Sequence, residues 1–168
     1  MENNTDKDIY WREDAAKKIH EKARYYRGRF LNSVAVIDHK ASMIITKYFC
    51  KTNESIQELF FTKIVTAQFF SLRRKKDIAV EIVKILLPDY WERNKEHFKK
   101  LEEIIDFRNK LAHSIIDVSD EALRRPVSEG IGFIEWKNGE AITDRTFNDW
   151  EVKANMVFGC FSEIERLL

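Results

Sequence analysis

Five glycines and two prolines are spread through 168 residues, and this scarcity of breakers constrains the fold more than any other feature. Sandwiches and barrels need a turn about every ten residues, each with its own Gly, Pro or Asn punctuation. A chain with so few must run in long helices. Hydrophobic residues make up 44% and charged residues 34%, enough for a real core under a heavily charged surface, and the length fits one domain of ordinary size.

The charges nearly cancel, with 29 Lys+Arg against 28 Asp+Glu. Bulk charge therefore does not mark a nucleic-acid binder, and any basic surface must be local. Cys50 and Cys160 are the only cysteines. With a polar, acidic start and no secretory leader, they predict a reduced, cytoplasmic protein without a disulfide framework. No apolar run approaches the roughly 20 residues of a membrane span, so a soluble chain is expected.

Periodicity predicts the order of elements. A charged helix with a thin apolar stripe (Ile9, Trp11, Ala15, Ile19, Ala23, Tyr26) runs from Thr5 to about Arg27. Arg24, Tyr25, Tyr26, Arg27 and Arg29 then cluster around Gly28; they read as a solvated helix end, with contact to phosphates and bases as the functional alternative. Phe30 to Cys50 is the clearest helix, with Phe30, Val34, Ile37, Ala41, Ile44 and Tyr48 at helical spacing. Asp38 sits on the shoulder of that apolar face, where a carboxylate needs a partner. Ser55 is the expected cap of a helix reaching Phe70. The basic run Arg73, Arg74, Lys75, Lys76 reads as a solvated face and as the best electrostatic candidate for an RNA backbone. Ile78, Ile82, Ile85 and Leu86 mark a helix stopped by Pro88.

A further helix spans about Arg93 to Ser114. Ile115, Ile116 and Val118 look extended, and Asp120 to Gly130 reads as a surface loop. Gly132 to Thr143 reads as a β-hairpin turning at Asn138-Gly139. A last helix starts near Thr146. The expected class is mainly α: a bundle of four to five helices with a small C-terminal hairpin and a closing helix. It forms one domain over 1–168, with a charged helix over 1–29, a core bundle over 30–114, and the hairpin and closing helix over 115–168.

Arg108 falls in the middle of the apolar stripe Leu101, Ile104, Ile105, Leu111 and Ala112. A guanidinium cannot shed its proton, so there it must be paired or line a cleft. Asn109 and His113 are four apart and share the neighbouring face, with His113 roughly 140° round from Arg108 on an ideal helix. The two side chains converge if the helix frays or if a two-fold dimer brings two such helices together. His20, His39, His97 and His113 are scattered, so no metal site is expected. No phosphate-cradling Gly loop, Rossmann fingerprint or nucleophile elbow is present, and no cofactor is expected. Trp11, Trp91, Trp136 and Trp150 are expected to pack the core or an interface.

The segment Arg108-Asn109-Lys110-Leu111-Ala112-His113 resembles the HEPN superfamily signature: an arginine, a polar residue and then a histidine near the end of a helix in a small bundle. The resemblance covers roughly Phe30 to Ser114. It implies metal-independent cleavage of RNA in a cleft formed by two protomers, in bacterial defence or a toxin-antitoxin system. His113 would move protons and Arg108 would stabilise charge on phosphorus. Asn109 would orient a phosphate or the histidine. Apart from the resemblance, the places of Asp38 and Arg108 on two apolar faces lead us to expect that Asp38 pairs with Arg108 and holds its guanidinium. Family members paired with a nucleotidyltransferase antitoxin carry a tyrosine two positions past the histidine. Ile115 stands there, which argues against that partner. The resemblance also allows a non-catalytic module that binds protein, RNA or a nucleotide; a third alternative, on which the sequence gives no handle, is a regulatory partner encoded beside an effector.

Overall fold

The computed structural model describes residues 4–51, 53–134, 136 and 140–168. Among these residues the chain is mainly α, with six α-helices and one two-stranded antiparallel pair before the closing helix. The helices are α1 (Asn4–Phe49), α2 (Glu54–Phe60), α3 (Leu72–Leu86), α4 (Pro88–His113), α5 (Asp120–Arg124) and α6 (Asp144–Leu167). A π-helical turn (Phe61–Val65) follows α2, and a 3-10 turn (Val127–Glu129) follows α5.

Several boundaries differ from expectation, each for a local reason. The two expected N-terminal helices are one, because α1 runs through Gly28. A Cβ there would meet nothing within 4 Å, and Tyr26 and Phe30 on either side are fully buried. Packing outweighs the roughly 0.5–1 kcal/mol that a mid-helix glycine costs. Asn53, one residue before α2, takes the capping role expected of Ser55: its side chain accepts from Ile56 N at 3.1 Å. The helix expected to reach Phe70 gives way to the π turn, where Thr66 Oγ1 donates to the Phe61 and Thr62 carbonyls. The basic run belongs to α3, which Ser71 caps. Pro88 opens α4, in the first-turn position where its missing N–H costs nothing. The expected loop after Asp120 contains α5, capped by Ser119. Thr143 and Thr146 cap α6 reciprocally, each hydroxyl accepting from the other's backbone N–H at 3.1 and 2.9 Å.

Contacts divide the chain into two units. The first comprises Met1–Leu31 and Asn109–Trp150. In it Tyr26 is buried and stacks on Phe147, with ring centroids 4.4 Å apart. Its hydroxyl donates to Asp144 Oδ1 at 2.9 Å, and Lys22 Nζ lies 2.6 Å from the same oxygen. Burial, and then the Asp144 hydrogen bond, push the Tyr26 hydroxyl well above its ordinary range. Hydrogen bonds from Lys22 and Tyr26 hold the Asp144 carboxyl below its own.

The strands of this unit are short. β1 (Ile131–Gly132) pairs with β2 (Ala141–Ile142), Ile131 opposite Ile142 and Gly132 opposite Ala141. The pairing thus starts one residue before the expected hairpin. The predicted Asn138-Gly139 turn lies outside the described residues. Gly130 has φ 108°, and a Cβ there would meet Ile142 O at 2.9 Å, so only glycine fits this entry to β1. Ile116, expected to be extended, bridges Phe133, with Asp117 N donating to Gly132 O and Ile134 N to Ile115 O.

The second unit comprises Asn32–Arg108 and Glu151–Leu168. Its core takes Ile37, Ala41 and Ile44 from α1, Ala79, Ile82 and Val83 from α3, Leu101 and Ile104 from α4, and Val157, Phe161 and Ile164 from α6, all buried. Phe98 meets Phe161 with ring centroids 5.4 Å apart. The Tyr90 hydroxyl donates to Glu163 at 3.0 Å and to Cys160 O at 3.2 Å. Burial pushes that hydroxyl and the Cys160 thiol upward. Both cysteines are buried and free.

Candidate functional site

Arg108, Asn109 and His113 all lie on the last two turns of α4, and the division between the two units falls between Arg108 and Asn109. Arg108 is half-buried, one turn after the buried Ile104 and Ile105. Asn109 and His113 are exposed, and His113 is the final residue of the helix.

A helix end leaves its last carbonyls without intrahelical donors. Around His113 two of those carbonyls, and the Ser114 carbonyl just beyond the helix, are occupied. Lys110 O accepts from Ser114 N at 2.9 Å and from Ser114 Oγ at 2.6 Å. Leu111 O accepts from Arg27 Nε at 2.9 Å, and Ser114 O accepts from Arg27 Nη2. Arg27 on α1 therefore brackets His113, bonding the carbonyls two residues before it and one residue after. A cation at a helix C-terminus is also favoured by the macrodipole. An aromatic pair backs this cap. The Arg27 guanidinium lies 5.5 Å from the centroid of Phe133, which stacks on Trp136 at 4.8 Å. Trp136 Nε1 donates to Ser114 Oγ at 2.7 Å, and Lys110 Nζ sits 5.3 Å from the Trp136 centroid. Arg27 bonds carbonyl oxygens and a ring face, Lys110 a ring face, and among the described residues no carboxylate within 4 Å compensates either charge.

Arg27 appeared in the sequence only as a member of the cluster around Gly28. The signal that distinguishes it is its place in one uninterrupted helix, four residues after the buried Ala23 and three before the buried Phe30. A long cation on the shoulder of a buried stripe reaches across to a neighbouring element.

The basic run of α3 has a different environment. Lys75 is buried, and its Nζ donates to Asp38 Oδ2 at 2.7 Å. Asp38, the expected holder of Arg108, thus has its ion pair with a lysine expected on a solvated face. Lys75 lies on the same line of α3 as the buried Ala79, Ile82 and Val83. Arg73 bridges Glu102 and Asp106 of α4 at 2.7 and 2.8 Å. Lys76 pairs with Glu102 and with Asp77. Burial pulls the Lys76 ammonium down, but its hydrogen bonds to Glu102 and Asp77 outweigh it and leave the pKa raised. Arg74 is exposed.

Among the described residues no group of His, Cys, Asp and Glu has the arrangement of a metal site, and no helix is long and apolar enough to cross a membrane. No family model, no curated protein and no solved structure matches the chain.

Proposed function

We propose that this chain is a metal-independent endoribonuclease of HEPN type, acting as a dimer in bacterial defence or a toxin-antitoxin system, with His113 and Arg108 as its reacting groups. The observation that carries this reading is the setting of His113. The ring is exposed at the last position of α4, Arg27 bonds the Leu111 and Ser114 carbonyls on either side of it, and Lys110 lies one turn before it on the same helix, neither cation having a carboxylate within 4 Å among the described residues. A phosphodiester is drawn to such a place.

In the reaction the RNA 2′-hydroxyl attacks its own phosphorus. His113 carries the proton from that hydroxyl to the leaving 5′-oxygen, giving a 2′,3′-cyclic phosphate and a 5′-hydroxyl end. Arg108 stabilises the negative charge that builds on phosphorus, in a cleft that two protomers complete. Asn109, exposed beside it, orients the phosphate or the imidazole. To Lys110, within the motif segment and with its ammonium over the Trp136 ring, this reading gives a phosphate contact. The carboxylates that hold Arg73, Lys75 and Lys76 make them weaker candidates for that task.

The test is cleavage of a mixed single-stranded RNA in the presence of a chelator. The wild type cuts. His113→Ala and Arg108→Ala lose at least about 10²-fold in rate while their helical circular dichroism is unchanged. Equal cleavage by wild type and His113→Ala, or RNA binding without cleavage, contradicts the reading, and the second result points to a non-catalytic binding module.

A further inference from the structure

Gly28 stands exposed in the interior of α1, where glycine is the poorest helix former after proline. The fold gives no reason for it. A Cβ there would meet nothing within 4 Å, and its φ is not positive. Gly159 of α6 is equally open, but no cation lies between Asn155 and Glu163 around it. Gly28 has different company: from Arg24 to Asn32 there are three arginines and no acidic residue.

At about 100° per residue, Arg24 and Arg27 lie roughly 40° and 100° to one side of Gly28, and Tyr25 and Arg29 roughly 60° and 100° to the other. On the first side Arg27 bonds the carbonyls that flank His113. Arg24 is exposed and has no carboxylate within 4 Å among the described residues. On the second side the Tyr25 ring leans on Tyr26 and Phe147, with centroids 5.9 and 6.2 Å away. Arg29 Nη1 donates to its hydroxyl at 2.6 Å, and Lys22, itself held by Asp144, lies 5.8 Å from its centroid. Tyr25 is thus held in place and still 49% exposed.

Each feature fits a different part of one ligand. Guanidinium groups without carboxylates take phosphates. An exposed ring takes the face of an unpaired base, which a duplex keeps inside its own stack. The bare crest at Gly28 lets the strand between them lie close to the helix backbone, where any side chain would stand in its way.

We propose that a single strand of RNA crosses α1 at Gly28 as it leaves His113, with its phosphates on Arg27 and Arg24 and an unpaired base on Tyr25. The substrate is then unpaired beside the bond that is cut. The choice of RNA rests on the ribonuclease reading. The path itself uses one protomer, since Arg24 to Arg29 and His113 all belong to the first unit.

Fluorescence anisotropy with a labelled 2′-O-methyl RNA strand of mixed sequence tests it. That probe lacks the attacking hydroxyl, so binding is read apart from cleavage. Wild type is expected to bind the strand at least about tenfold more tightly than the same sequence in a paired duplex. Gly28→Gln and Tyr25→Ala are each expected to raise Kd at least about fivefold. Gly28→Gln should at the same time raise the thermal midpoint, because glutamine is the better helix former; a structural glycine would give the opposite. Arg24→Gln should weaken binding and lower the slope of log affinity against log salt by about 0.7. If Tyr25→Ala loses helical circular dichroism, Gly28→Gln and Arg24→Gln decide, since both positions are exposed. A wild type that does not bind the strand, or binds the duplex as tightly, overturns the proposal. So does a Gly28→Gln or Arg24→Gln variant that binds like wild type, or an equal loss in Lys63→Gln, an exposed lysine of the other unit. If binding ignores these variants while wild type cuts RNA, the path fails and the ribonuclease reading stands. If binding falls as expected while wild type cuts nothing, the path stands and the ribonuclease reading fails.

Discussion

Two basic clusters, Arg24–Arg29 on α1 and Arg73–Lys76 on α3, look alike in sequence and behave differently in the fold. In the first, Arg27 gives its donors to the Leu111 and Ser114 carbonyls and its face to Phe133. In the second, Arg73, Lys75 and Lys76 are met by Glu102, Asp106, Asp38 and Asp77. A carbonyl satisfies a guanidinium's hydrogen bonds and leaves its charge. A carboxylate removes both. Counting lysines and arginines therefore ranks the two clusters the wrong way round as local fields. The partners decide which cluster can attract a phosphate: on α3 carboxylates meet Arg73, Lys75 and Lys76 and leave the exposed Arg74, whereas Arg27 at the end of α4 meets carbonyls and keeps its charge.

Mutations sharpen this contrast. The largest effect is expected at Lys75. Lys75→Ala empties a site where the lysine side chain is 4% exposed and takes the ammonium from Asp38, whose side chain is 35% exposed, and chemical denaturation should show a loss of about 3 kcal/mol, most of it from the vacated space. Arg74→Ala, one residue away and exposed, should change stability by less than about 0.5 kcal/mol. Equal losses at both positions would mean that the run is a uniform surface, and the comparison would collapse.

Arg27→Ala comes next. It removes two charge-assisted hydrogen bonds from the end of α4 and should cost about 2 kcal/mol. Amide exchange should quicken in the last turn around His113 more than elsewhere in the helix, because those bonds belong to that turn. Uniform loss of protection would assign Arg27 a general packing role and detach it from the site.

Lys110→Ala should leave stability nearly unchanged and weaken RNA binding. The slope of log affinity against log salt should fall by about 0.7 for a single strand. Arg73→Ala should leave that slope where it is, since Glu102 and Asp106 already neutralise the guanidinium. The reverse pattern would return the RNA contact to α3.

The smallest effects concern pH, and they have opposite signs. Asp144 has its folded pKa lowered by Lys22 and Tyr26. Its contribution is present above the ordinary carboxylate range and is lost as pH falls through the lowered value. Lys76 has its folded pKa raised. Its contribution is present below the ordinary lysine range and is lost as pH rises through the raised value. Stability curves of Asp144→Asn and Lys76→Met against wild type should converge at the acid and the alkaline end respectively.

The helical class was legible because few breakers and a 3.6-residue apolar period are properties of the chain itself. The stripe through Phe30, Val34, Ile37, Ala41 and Ile44 is buried throughout. What local pattern could not supply was the outcome of competition between local cost and packing. Gly28 reads as a break, yet the buried Tyr26 and Phe30 on either side carry α1 through it. Asp38 on an apolar shoulder correctly signals a need for a partner, but the partner, Lys75, is 37 residues away in sequence, and only the packing of α3 on α1 selects it. The same holds for Arg27, whose bonds to the end of α4 span 84 residues. The motif residues, Lys110 among them, are visible in sequence, whereas Arg27 reaches the end of α4 only through the fold.

The most direct test of His113 chemistry is an RNA of defined sequence carrying a single 2′-deoxy sugar at the cleavage position, incubated with the wild-type protein and a chelator. The account predicts a 2′,3′-cyclic phosphate and a 5′-hydroxyl from the all-ribose strand and no cleavage at the substituted position. A 5′-phosphate end, or equal cleavage of the deoxy-substituted strand, would contradict it.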